Sequence, residues 1–110
     1  MEQFIRNIPF SEALPLAGFV DYQPGKVISV TFVQNPTLSF TLFAFADGES
    51  ISGHSAPGDA MVYILDGEAE ITIDEKKIAA TTGQVVVMPA GIPHAVHATT
   101  NFKMLLILVK

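Results

Sequence analysis

Three side chains in this sequence suit chemistry near neutral pH: His54, His94 and His97. An imidazole titrates close to neutrality, so it can serve as a general base or ligate a metal. His54 and His94 each adjoin a loop rich in glycine and proline, in Gly53-His54-Ser55-Ala56-Pro57-Gly58 and Pro89-Ala90-Gly91-Ile92-Pro93-His94. His97 follows His94 by three residues, so in an extended strand it faces the other side and reads as a surface or interface histidine. Ser55 adjoins His54, and Asp59 is close in sequence. Neighbouring strand residues point opposite ways, however, so no nucleophile and base are paired there. There is no Gly-x-Ser-x-Gly elbow and no cysteine, which removes the thiolate nucleophile and the disulfide together. Asp47, Glu49, Asp59, Glu68, Glu70, Asp74 and Glu75 read as a solvated acidic surface.

The elements that must position these histidines are strands. At 110 residues the chain is long enough for one core. Residues 1–25 read as an arm broken by Pro9 and Pro15, with Ser11 placed to cap a single turn over residues 12–14. Phe4, Ile5, Phe10, Leu14, Leu16, Phe19 and Val20 need cover, which suggests an arm that meets a partner subunit. Residues 26–110 read as the barrel. Strands are expected over 27–34, 37–45, 76–80, 84–88 and 102–109, separated by turn signals at the spacing of an all-β sandwich or barrel. Asp66-Gly67 between apolar runs predicts a two-residue hairpin with Leu65 opposite Glu68 and Val62 opposite Ile71. One face of that hairpin is Ala60, Val62, Ile64, Ala69, Ile71 and Ile73, all apolar and expected to point inward. By the same parity His54 and Ala56 share the inward face with Ala60. Val85, Val86 and Val87 in a row predict burial on both faces, and the last strand, apolar on both sides, needs cover on both.

The two histidine-bearing stretches resemble the signature motifs of the cupin family. The first motif is Gly, five residues, His-x-His, three or four residues, Glu, six residues, Gly; Gly48, His54 and Gly67 fall in register, with Ala56 at the second His and Ala60 at the Glu. The second is Gly, five residues, Pro-x-Gly, two residues, His, three residues, Asn; Gly83, Pro89, Gly91 and His94 match, and Ala98 replaces the Asn. The resemblance runs over about residues 37–109 and implies an all-β fold, a cupin or jelly-roll double-stranded β-barrel. The chain resembles small single-domain bacterial cupins with a His-x-Ala-Pro first motif. Cupins hold a metal on the two histidines and Glu of the first motif and the His of the second. The resemblance therefore implies His54 and His94 as ligands of a divalent metal (iron, manganese, nickel or zinc), with Ala56 and Ala60 removing two of four donors. Two imidazoles alone hold such an ion weakly, since catalytic zinc keeps three protein ligands and the iron triad adds a carboxylate.

With alanines at two ligand positions, the interior becomes more apolar. The expected ligand site is His54, Ala56, Ala60, Val62, Met88 and His94, a mostly apolar pocket with few polar contacts. The leading expectation is a barrel that binds a small molecule in its interior pocket, without catalysis or with an undefined activity. The alternative is a metal-dependent enzyme, dioxygenase or isomerase-like, using His54 and His94 with waters or a substrate chelate completing the shell. A metal-free isomerase with a histidine base comes third, because no partner acid is visible. The chain has six basic residues and a net charge of −5, with only Lys76-Lys77 adjacent, which argues against nucleic acid. The first twenty residues do not read as a signal peptide, and the apolar run at 104–109 is too short to span a bilayer. A cytoplasmic protein is expected. Cupins commonly dimerise through sheet faces, and 49% hydrophobic residues in so small a chain fit a homodimer.

Overall fold

The structure is a computed structural model that describes residues 3–110, the side chains of residues 53 and 54 excepted. The described residues form one short 3-10 turn, Leu16–Phe19, and nine strands. These are β1 Val27–Gln34, β2 Leu38–Phe45, β3 Ser50–His54, β4 Asp59–Asp66, β5 Glu68–Ile73, β6 Lys76–Thr81, β7 Val85–Met88, β8 His94–Ala98 and β9 Phe102–Val109. They build two antiparallel sheets, one ordered β1-β2-β9-β4-β7 and the other β3-β8-β5-β6. The expected jelly-roll barrel is the fold observed.

The core follows from strand alternation. Ala60, Val62 and Ile64 of β4, Phe102 and Met104 of β9 and Phe45 of β2 face Ala69 and Ile71 of β5, Ala80 of β6 and Val96 and Ala98 of β8. Phe45 stacks on Phe102 with ring centroids 4.6 Å apart. Each large apolar side chain buried there contributes about 1.5–3 kcal/mol.

The hairpin expected at Asp66-Gly67 does not form. β4 pairs with β7 and β9, whereas β5 pairs with β6 and β8, so the chain crosses from one sheet to the other at Gly67. The positive φ of Gly67, 76°, serves a corner as well as it serves a hairpin. A β-carbon there would lie 2.0 Å from the Asn101 carbonyl oxygen, so the corner is pressed against the start of β9. The inward assignment of Ala60, Val62, Ile64, Ala69 and Ile71 is nevertheless observed, because alternation sets the face of a strand and not its neighbour. A hairpin forms instead at Asp74-Glu75, with Ile73 opposite Lys76 and Asp74 at φ 56°.

Val85 and Val87 are 53% and 50% exposed, contrary to burial on both faces. β7 is the edge of its sheet, and nothing among the described residues covers its outer side. The arm covers the opposite half of that outer face. Val20, Leu16, Phe19 and Ile8 pack on Phe32, Val33, Leu42 and Ala44, and Phe19 meets Phe32 edge to face at 6.2 Å. The ladder between β1 and β2 bulges at Phe32, whose carbonyl accepts the Arg6 N–H at 2.8 Å. Lys103 of β9 donates to the Ala17 carbonyl at 2.6 Å and lies 5.0 Å from the centre of the Tyr22 ring. The single turn follows Pro15 and is not capped by Ser11. Ser11 has φ 63°, whereas a capping residue needs an extended backbone.

Candidate functional site

His94 opens β8, and the loop before it is fastened at three points. The Gly91 N–H donates to the Ala56 carbonyl at 2.9 Å, the Ala90 N–H donates to the Asp59 carboxylate at 2.9 Å, and the Asp74 N–H donates to the Pro93 carbonyl at 2.8 Å. Asp59 is thus a loop anchor, where the sequence suggested only a solvated acid. Gly58 lets the segment entering β4 pass close to β9, since a β-carbon at 58 would sit 2.1 Å from the Val109 carbonyl oxygen. So fixed, His94 lies between the sheets with 8% of its surface exposed.

Beside His94 is a partly open cavity of about 110 Å³. The five-stranded sheet supplies Phe43, Met88, Met104 and Leu106 to its wall, and the other sheet supplies Ile51, Val96 and His94. His94 is the one polar side chain in that wall among the described residues. A larger groove of about 530 Å³ runs between arm residues 3–6 and the neighbouring ends of β1 and β2. That groove is open, lies outside the barrel and contains none of the motif residues, so the interior cavity is the better candidate.

Of the residues expected at the site, Met88 and His94 come together on the cavity wall. Ala60 and Val62 are fully buried in the adjoining core and do not line the cavity. Ala56 is half-buried in the loop after β3, where its carbonyl holds Gly91. The backbone of β3 sets residue 54 opposite residue 94 across the ladder; the His54 side chain lies outside the described part. His97 is exposed on the outer face, its Nδ1 bonded to the Ser50 hydroxyl. Phe43, Ile51, Val96, Met104 and Leu106 were not singled out for the site. Alternation places Met104 and Leu106 on one face of β9, but only the order of strands brings that face to His94.

Among the described residues the donors suit the expected metals poorly. Position 60 is a buried alanine, and no three His, Cys, Asp or Glu groups gather among the described residues. The described wall offers one imidazole and two thioethers, whereas iron, manganese, nickel and zinc sites draw on several nitrogen or oxygen donors.

Among the described residues, the clear shift of a titratable group lies at the base of the arm. The Tyr22 hydroxyl donates to the Asp66 carboxylate, and burial first, then that bond and the nearby negative charge, push the phenol above its ordinary range.

Comparison with known proteins agrees with this geometry. The chain is 46% identical to a conserved protein of unknown function from Streptococcus pyogenes, SPY1581, over 99% of this chain and 96% of that one, with a TM-score of 0.97. It is 38% identical to a cupin superfamily protein from Desulfitobacterium hafniense over 96% of both chains, with a TM-score of 0.91. An uncharacterized protein of Streptomyces coelicolor, SCO3923, is 29% identical over 66 residues, a match spanning 60% of this chain and 63% of that protein. The family model of the cupin domain matches residues 41–110, from β2 through the last strand, and with this the chain belongs to the cupin family.

Proposed function

We propose that this protein is a small cupin barrel that binds a small molecule in its interior cavity and does not act on it. One observation carries the reading. Where the family motif sets four metal donors, the described wall of the cavity is apolar but for one imidazole. A mostly apolar pocket with a few orienting polar groups is the usual anatomy of a ligand site. The test is a thermal-shift screen of small molecules on the intact chain and on Val96→Phe, which fills the cavity. Ligands that raise the melting temperature of the first and not the second are expected. A screen in which no ligand distinguishes the two proteins sinks the reading.

A second reading, a metal-dependent dioxygenase or isomerase, draws on the pairing of residues 54 and 94 across β3 and β8. Near one metal per chain in untagged protein, lost in both His54→Ala and His94→Ala, would favour it over the first. Under either reading the partner is a second copy of this chain. The uncovered half of the five-stranded sheet presents Met61, Tyr63, Val85 and Val87 side by side, with Val109 at its end. In a chain of net charge −5, two such uncharged patches can meet about a two-fold axis without like-charge repulsion.

A further inference from the structure

We propose that Ser50 and His97 form a nucleophile and base on the outer face of the four-stranded sheet, where they hydrolyse small activated esters through an acyl-serine. The pair is separate from the interior cavity and stands whether or not the barrel binds a ligand. The Ser50 hydroxyl and the His97 Nδ1 lie 2.5 Å apart, within the reach a base needs to take a proton. Strand order brings them together. Ser50 of β3 is directly opposite His97 of β8, and Glu70 of β5 is directly opposite His97 on its other side. Cross-strand partners share a face, so a hydroxyl, an imidazole and a carboxylate stand in one row. Ser50 and His97 are exposed, so an outside substrate can meet the nucleophile.

Both residues sit on fixed backbone. β8 is paired on each side, by β3 and β5. The segment entering Ser50 is tied to the chain after β8. The Asp47 N–H donates to the Asn101 side chain at 2.7 Å, the Gly48 N–H donates to the Ala98 carbonyl at 2.9 Å, and the Ala98 N–H donates to the Glu49 carbonyl at 2.9 Å. β3 is an edge strand, so N–H groups along its free side are available to a developing oxyanion.

The chemistry balances without a cofactor. Ser50 Oγ attacks the ester carbonyl carbon while His97 Nδ1 takes the hydroxyl proton. The carbonyl re-forms as the bond to the leaving oxygen breaks, and His97 returns the proton to that oxygen. Water then attacks acyl-Ser50 with His97 again as base, releasing the carboxylic acid and restoring the serine. Glu70 sets a negative charge beside the imidazolium that forms in each step. An exposed row grips little of its substrate, so the ester must carry a good leaving group, as a small aryl ester does. Glu68 and Glu70 on the same face favour a neutral acyl group over an anionic one.

The experiment treats the full chain with para-nitrophenyl acetate and reads nitrophenol release together with the mass of the peptide that bears Ser50. One acetyl group is expected on Ser50, formed as the first nitrophenol appears. Ser50→Ala and His97→Gln should each lose the acetyl-peptide and lower turnover about 10²-fold, the low end for general-base catalysis. Their melting temperatures should match the parent, since both side chains are exposed. The proposal is overturned if no acetyl reaches Ser50, or if Ser50→Ala keeps the parent rate, which would mean that an imidazole or an amine attacks the ester directly. It is also overturned if His97→Gln acetylates Ser50 as fast as the parent does. The parent unfolded in urea decides the matter should a variant not fold: Ser50 should stay unacetylated there, and equal acetylation would show that the fold does not activate it.

Discussion

At Gly67 two demands meet in one residue: a left-handed backbone and no room for a β-carbon beside the Asn101 carbonyl. Gly67→Ala should therefore cost more than about 2 kcal/mol, a loss read from the midpoint of denaturant unfolding. A change of under about 0.5 kcal/mol would mean the corner relaxes freely. Tyr22 gives a prediction in pH. Its phenol is raised in the folded protein, so the neutral form is favoured there, and the associated stability is complete below the ordinary tyrosine value of about 10. As pH climbs past 10 the unfolded chain ionises first and that stability is lost. Melting temperatures of the parent and Tyr22→Phe should converge above about pH 10. Curves that stay parallel would show that neither burial nor the Asp66 contact raises the phenol.

Among the elements, the arm shows how one strand residue can secure a separate segment. Lys103 reaches the Ala17 carbonyl and the Tyr22 ring, so Lys103→Met should free the arm and cost about 1–2 kcal/mol. Limited proteolysis should then cut within the first twenty residues faster than in the parent; equal rates would place the hold in the Phe19–Phe32 contact instead. The strands themselves were largely legible in the sequence. β1 matches its expected range, and β4 and β5 show the expected faces, because side-chain alternation is local. Which strand lies beside which was not legible. Asp66-Gly67 encodes a positive-φ turn, and that turn closes a hairpin or rounds a barrel corner equally well. The run Val85-Val86-Val87 encodes strand preference without saying that β7 sits at an edge. The site divides the same way. His94 and Met88 could be read from a contiguous motif and its preceding strand, whereas Phe43, Ile51 and Val96 reach the cavity only through topology.

For the whole molecule, the sheet half that the arm leaves bare is where a second copy should dock. Val87→Lys places a charge in the middle of that patch, on a side chain already half exposed, so the monomer fold should tolerate it. Light scattering should report a dimer for the parent and a monomer for Val87→Lys; two monomers, or two dimers, would remove this face as the interface. The order of the larger sheet has a separate consequence. β9 lies at its centre, between β2 and β4, although it is the last strand in chain order. During synthesis β2 and β4 therefore emerge long before the strand that joins them, and each must wait with an unpaired apolar edge. The ribosome-bound chain cannot close its barrel until residues 102–109 are free. Nascent chains that stall before Phe102 should thus be the species that chaperones must hold.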